Sequence, residues 1–538
     1  MKHIPMKHIR RILTITLAIV LLLSMNLPAL AEGKPYDGVT IHMFHNNNPS
    51  TQEELKEKYG ETMEDNRWTR LYKEKLGVDF VYDWYANGDT FKQKSKLAIA
   101  SGDLPDMFII EDLTDLNQLA EEGMIQPVGD LFDEYASDLL KKIMLSEGNK
   151  DIFRATTVNG QVYALPRRQA TFSGAPYFYI RKDWLDKMGK EVPTTTEEML
   201  ELARAFTFED PDGNGENDTY GMVMDKTLWN GYAAQGLFTC FGAYPDRWIF
   251  AEDGTVVNGS IQPEVKDGLA MLRTMYAEGI LDNEFSVKDR NQVNALVAAN
   301  RVGMGFGAHW YFLFDGFNNA KKNDPSIEWI CAEWPTKDGK PASIIVQPGV
   351  NNYMAVNAEF KHPELLILML NEYVEALFSE GADYHYWFAD VADLWAYTPI
   401  HCLNPLANLN AYSEFAAAEE NGGDYSHLSS AAEAYYKDIT EQYGWELFMG
   451  GTGSSTQRIL TQVIADNRYS FEAYMGAPTK TMLEKQSVLN DLRDSTFTKI
   501  IMGETDLDQG FEEYVNQWKS LGGDQITAEI NEALSLTK

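Results

Sequence analysis

The chain has 538 residues, with 46 Lys and Arg against 80 Asp and Glu, a formal charge of −34. So strong an acidic excess makes nucleic acid a poor partner, and it weakly disfavours a polyanionic ligand, although a local basic pocket can override a field that decays over about one Debye length. The length exceeds what one hydrophobic core supports, so two lobes are expected; Cys240, Cys331 and Cys402 fit neither a disulfide framework nor a metal spacing and read as buried small residues, with one bridged pair left open.

Lys2, Lys7, Arg10 and Arg11 precede an apolar stretch from Ile12 to Leu23, followed by Pro28-Ala29-Leu30-Ala31. That is the pattern of a signal peptide, residues 1–31, cleaved after Ala31. The apolar stretch is short for the roughly 20 residues of a membrane span, and Pro28 would break a longer helix. No cysteine stands near the cleavage point to carry a lipid. A freely soluble periplasmic or secreted form is therefore expected, still more acidic once four basic residues are lost.

Thr40 to Phe44 reads as a strand running into the polar loop His45-Asn46-Asn47-Asn48-Pro49. Trp68, Leu71, Tyr72 and Leu76 share one face of a helix. Val78, Phe80 and Tyr82 then mark a second strand that empties into Asp83-Trp84-Tyr85. Another helix leads through Ser101-Gly102-Asp103 to the apolar strand Met107–Ile110. Strand, helix, strand, helix, strand predicts a parallel sheet covered on both faces, an α/β fold. Ligands in such folds sit beyond the carboxyl ends of the strands, which makes His45, Trp84, Glu111 and Asp112 candidate contacts.

Further on, Thr195 and Glu198 form a capping box at a helix start. A helix from Val265 stops at Gly279, and another opens at His362-Pro363-Glu364 and runs through Tyr373. No fixed-period repeat is present. Between these elements, Asp210-Pro211-Asp212-Gly213-Asn214-Gly215-Glu216-Asn217-Asp218 places side-chain oxygens at positions 1, 3, 5 and 9 of a tight loop, with Glu216 offering its carbonyl. Alternate residues of such a loop can converge on a hard cation, so a structural Ca²⁺ is expected on Asp210, Asp212, Asn214, Glu216 and Asp218. Gly221 stands at position 12, where a complete EF-hand needs a bidentate Glu.

Four pieces, Ser101-Gly102-Asp103-Leu104-Pro105-Asp106, Asn159 to Pro166, Ile180 to Gly189 and Lys361-His362-Pro363-Glu364, give the chain a resemblance to the extracellular solute-binding proteins of ABC transporters, in the sugar-binding family that includes maltose- and alginate-binding proteins. A fifth, Asn300-Arg301-Val302-Gly303-Met304 with Trp310 beyond it, resembles the family pattern that delivers an aromatic residue to the cleft. The resemblance runs from about residue 40 to 380. It implies two α/β lobes of the periplasmic-binding-protein type (type II-like) with discontinuous domains: 36–160 and 340–400 in the first, 161–339 and 401–538 in the second. It also implies a monomer that closes on an oligosaccharide and docks on ABC permease subunits. Where alginate-binding relatives carry a last acidic calcium ligand, this chain has Thr219.

Sugars present apolar C–H faces and a rim of hydroxyls, which aromatic rings and polar side chains match. With 12 tryptophans available, Trp310, Trp229, Trp84 and Trp395 are candidate stacking platforms. Arg167 and Gln169, just past the Tyr-Ala-Leu-Pro turn at the expected lobe boundary, are candidate donors to hydroxyls or a carboxylate. The chain contains no G-x-S-x-G, H-E-x-x-H or G-x-x-x-x-G-K-[ST] motif. A binding protein is therefore favoured over a secreted glycan-active hydrolase, and over a glycan-binding surface or sensor protein without a transport role.

Overall fold

The computed structural model describes residues 34–535, except 48, 147–151, 173, 230–231, 233, 314, 389–396 and 451–454. The basic and apolar leader and its cleavage point lie outside the described residues. Nine strands frame the two lobes: β1 (Thr40–Asn46), β2 (Asp79–Ala86), β3 (Met107–Ile110), β4 (Ala164–Arg168), β5 (Tyr177–Arg181), β6 (Tyr220–Val223), β7 (Val302–Gly307), β8 (Trp329–Ala332) and β9 (Val350–Val356). The first sheet has the order β2-β1-β3-β9-β4 and the second β8-β5-β7-β6.

β1, β2 and β3 are parallel, as their alternation with helices requires. The sheet as a whole is mixed, because β9 and β4 join antiparallel after the chain has visited the second lobe. Period-two alternation sorts β1 between two cores. Ile41 and Met43 face a cluster with Trp68, Tyr72 and Tyr373. Phe44 faces the other side with Phe91, Phe108 and Leu116. The helix Arg67–Lys75 begins at Asn66, whose side chain accepts from the backbone N–H groups of Trp68 and Thr69 while the Thr69 hydroxyl accepts from Asn66 N. The cap sets Trp68 and Tyr72, one turn apart, against the sheet.

The second lobe is built the same way. The predicted capping box of Thr195 and Glu198 starts the helix Thr196–Phe208. This helix lies so close to β6 that a Cβ at Gly221 would stand 2.1 Å from the Ala203 carbonyl oxygen. The helix Val265–Glu278 ends at Gly279 with φ 75°, a left-handed cap that glycine adopts without strain. The helix expected to open at His362 begins slightly later, at Leu365, and runs to Phe378. All three cysteines are buried and free. Among the described residues no helix is long and apolar enough to cross a membrane.

The division between lobes differs from the boundaries drawn on the sequence. β4 pairs with β9, so the first sheet extends to Arg168 rather than stopping at 160. Tyr397, Cys402, Phe415, Tyr435 and Met449 pack in the first lobe's core. Ala342, Ile344 and Val346, and later residues from Ile459 to Ile530, belong to the second. The helices after residue 400 carry apolar faces that fit either sheet, and nothing local marks their destination. The chain thus crosses between lobes three times: between β4 and β5, between β8 and β9, and between Met449 and Ile459.

Candidate functional site

Beyond the carboxyl ends of β1 and β3 lies a cavity of about 860 Å³. Asn46 ends β1, and Glu111 and Asp112 follow β3. Phe91 and Ile99 come from the helix Gly88–Ser101, Asn352 and Tyr353 from β9, and Pro478 from the C-terminal region. Val350 is shared with two further hollows of about 250 and 180 Å³. These bring in Arg247, Glu472 and Tyr474, so adjoining hollows meet at Val350 between the first sheet and the second lobe.

Charge in the cleft is mostly paired. Lys96 Nζ stands 3.6 Å from a carboxylate oxygen of both Asp112 and Asp115. Burial raises the Asp112 carboxyl, but hydrogen bonds from Thr114 and Lys96 outweigh it and hold the group below its ordinary value. Glu111 Oε1 accepts from Asn46 Nδ2 at 3.1 Å. Burial pushes the Glu472 carboxyl up, although Trp248 N and Gln347 Nε2 donate to it at 3.0 and 2.8 Å. Asn352 Oδ1 is buried in the wall and accepts from no group among the described residues.

Arg167 differs from the other charged groups. Its Nε and Nη2 both approach His401 Nδ1, at 3.0 and 2.6 Å. An arginine can only donate, so Nδ1 accepts and the imidazole proton sits on Nε2, aimed at the Gln169 amide 2.8 Å away. The amide oxygen belongs on that contact. Burial, reinforced by the Arg167 charge, holds the His401 pKa far below 6.5, which keeps the ring neutral. Burial also pushes the guanidinium down to about 10, against the pull of Tyr373 and Glu111.

Of the residues singled out from sequence, Asp112 and Arg167 line the main cavity and Gln169 the adjoining hollow. Asp112 also caps the helix Leu113–Glu121, accepting from Thr114 N at 2.8 Å. His45 ends up elsewhere. It shares the inward parity of Ile41 and Met43, is buried with Nε2 3.1 Å from the Thr398 carbonyl, and leaves Asn46 to face the cavity. Trp84 stacks on Phe44 with ring centroids 4.5 Å apart and carries Lys94 Nζ 4.4 Å from its own, inside the first lobe. Trp229 donates from Nε1 to Asp494 at 2.7 Å and stacks on Phe238 in the second lobe's core. Neither ring lines the cleft hollows described above. Trp395 lies outside the described residues, as does the Trp310 side chain, whose backbone sits in the short helix His309–Leu313. Sequence reasoning missed Asn352 and Tyr353; a polar Asn within an apolar strand was the available signal.

The acidic loop is closed by its own hydrogen bonds. Asn214 Nδ2 donates to Asp212 at 2.9 Å and to Asp218 at 3.2 Å, and Gly215 N donates to Asp210 at 3.2 Å. Burial raises the Asp212 carboxyl, and Asp210 and Asp218 add to the effect. Among the described residues no three His, Cys, Asp or Glu side chains converge as a metal-holding set. Gly221 cannot be replaced by a twelfth-position Glu, because Ala203 occupies the space. The oxygen donors that remain suit a hard cation by type, and their mutual repulsion is what a cation would relieve.

Two α/β lobes, joined by three crossings around a polar cleft, define a two-lobed binding protein of the periplasmic type. The chain belongs to the bacterial extracellular solute-binding protein family, whose model matches residues 48–384. It is 31% identical over 268 residues to the fructooligosaccharide ABC transporter substrate-binding protein FusA of Streptococcus pneumoniae, covering 47% of each chain, so it spans about half the length of that relative. It is 25% identical over 476 residues to the polygalacturonan/rhamnogalacturonan-binding protein YtcQ of Bacillus subtilis, covering 82% of each. The solved structure of FusA with kestose superposes with a TM-score of 0.61 at 19% identity, covering 93% of this chain and 99% of that one.

Proposed function

We propose that this chain is the extracytoplasmic substrate-binding protein of an ABC importer and that it captures an oligosaccharide between its lobes without catalysing a reaction. The observation that carries this reading is the set of adjoining hollows lined by residues of both lobes. A ligand shifts an open-to-closed equilibrium only by contacting the two states differently, and a sugar bridging Arg167, Asn352 and Tyr353 to Glu472 and Tyr474 does so. Tyr353 and Tyr474 offer faces to C–H surfaces, and Asn352 offers an acceptor to a hydroxyl. Both FusA and YtcQ are named for oligomeric or polymeric sugars. ABC permease subunits are the partner that the reading requires.

A thermal-shift screen of the purified protein against neutral and acidic oligosaccharides tests it. A ligand at 100 times its Kd should add about 2.7 kcal/mol of stability. A flat response across the panel, or hydrolysis of any glycan, would overturn the assignment.

The same reading places a structural Ca²⁺ on Asp210, Asp212, Asn214 and Asp218, with the Glu216 carbonyl. The ion would neutralise the crowded carboxylates and so stiffen the turn between the helix Thr196–Phe208 and β6. Chelation should lower the melting temperature, and Asp212→Ala should remove that sensitivity. Equal melting with and without chelator would exclude the site.

A further inference from the structure

Burying a charge is costly unless an opposite charge or a full set of hydrogen bonds meets it. The cleft observes this rule for its other interior cation: Arg247 Nη1 stands 3.3 Å from an Asp246 carboxylate oxygen, while the exposed Lys96 lies near Asp112 and Asp115. Lys92 is exposed and solvated. Arg167 breaks the rule. It forms no ion pair among the described residues, and its hydrogen-bond partner is a neutral imidazole. Glu111, the acid whose field it feels, is engaged by Asn46 instead. One edge of the guanidinium, Nε and Nη2, rests on His401, which leaves Nη1 without a partner on a side chain that lines the cavity.

The arrangement is rigid as well as unpaired. His401 is gripped on its other side by Gln169, so the imidazole cannot turn away from Arg167. Asn352, the cross-strand neighbour of Arg167, puts an unsatisfied amide oxygen in the same wall, an acceptor for a sugar hydroxyl beside the carboxylate. A fixed planar fork facing a cavity matches a carboxylate better than a hydroxyl, because each N–H···O bond to a charged oxygen is stronger than one to a neutral oxygen.

We propose that Arg167 is the anion receptor of the cleft, and that the captured oligosaccharide carries a carboxylate, as a uronic-acid sugar does. The proposal rests on the sugar-binding reading of the cleft. It runs against the chain's charge of −34, which sets the long-range field, whereas the local cation decides the bound state.

The test is calorimetric titration of the intact protein with a uronic-acid oligosaccharide and with the same oligosaccharide methyl-esterified at its carboxyls. The free acid should bind about tenfold to a hundredfold more tightly than the ester, the range expected for charge-assisted hydrogen bonds. Arg167→Gln should bring the two affinities together, because the acid loses the charge-assisted bonds and the ester loses only an ordinary donor. The wild-type comparison needs no variant, so a misfolded Arg167→Gln would not spoil it. Equal wild-type affinity for acid and ester, or binding of neutral sugars alone, would refute the anion receptor and leave the sugar-binding reading standing. Failure to bind any oligosaccharide would remove both.

Discussion

Gly349→Ala tests the packing of the second crossing between lobes. Gly349 precedes β9, and its carbonyl accepts from Gln169 N at 2.8 Å on the first crossing. A Cβ at this position would stand 2.1 Å from the Gln169 carbonyl oxygen, where ordinary contact begins at 3.4 Å. More than an ångström of backbone movement is needed, and both segments are tied into the first sheet through β4 and β9. Overpacking of this kind costs about 1–3 kcal/mol, and weakening the hydrogen bond adds about 1 kcal/mol. The expected loss is therefore about 2–4 kcal/mol, or roughly 2–4 °C in calorimetric melting of a chain this long. Gly174→Ala is the control, since a Cβ there meets nothing within 4 Å and its φ is unremarkable. Gly349→Ala melting with the wild type, or Gly174→Ala falling as far, would show that the crossings are not packed as described.

Buried His45 predicts a pH effect. Burial, which outweighs the hydrogen bond to Thr398, lowers its pKa from 6.5 to about 4. The unfolded chain therefore binds a proton that the folded chain refuses between these values, so this contribution is complete above pH 6.5 and lost as pH falls towards 4. It amounts to about 3 kcal/mol at 1.36 kcal/mol per unit. Denaturant titrations at pH 7 and pH 4.5 should show a smaller loss for His45→Gln than for the wild type; parallel losses would remove His45 as the source. Asn352→Leu should melt higher than the wild type, since an orphaned buried carbonyl costs about 1–3 kcal/mol, yet bind the cleft's sugar more weakly. A variant that melts lower and binds normally would show that Asn352 is satisfied in the fold and idle in the cleft.

The parts legible in the sequence were those fixed by neighbours along the chain. The three parallel strands, the Thr195 cap and the Gly279 stop all depend on residues within a turn or two. Arg167, Gln169 and Asp112 fall in the lining of the hollows because strand ends and a lobe boundary are themselves local features. His45 went astray by one residue: alternation turns it to the core and Asn46 to the cavity. Trp229 could not be resolved locally, because its indole is claimed by Asp494 in a C-terminal helix far along the chain. The same distance hides the destination of the helices after residue 400.

The order of assembly follows from where β9 sits. It occupies an interior place in the first sheet, between β3 and β4, yet it is synthesised after every strand of the second sheet. Until it arrives, β3 and β4 face an unfilled slot, and the closure of the first lobe waits on one of the chain's most distant pairings. A nascent polypeptide short of this strand is therefore still a thread with open edges rather than a finished lobe.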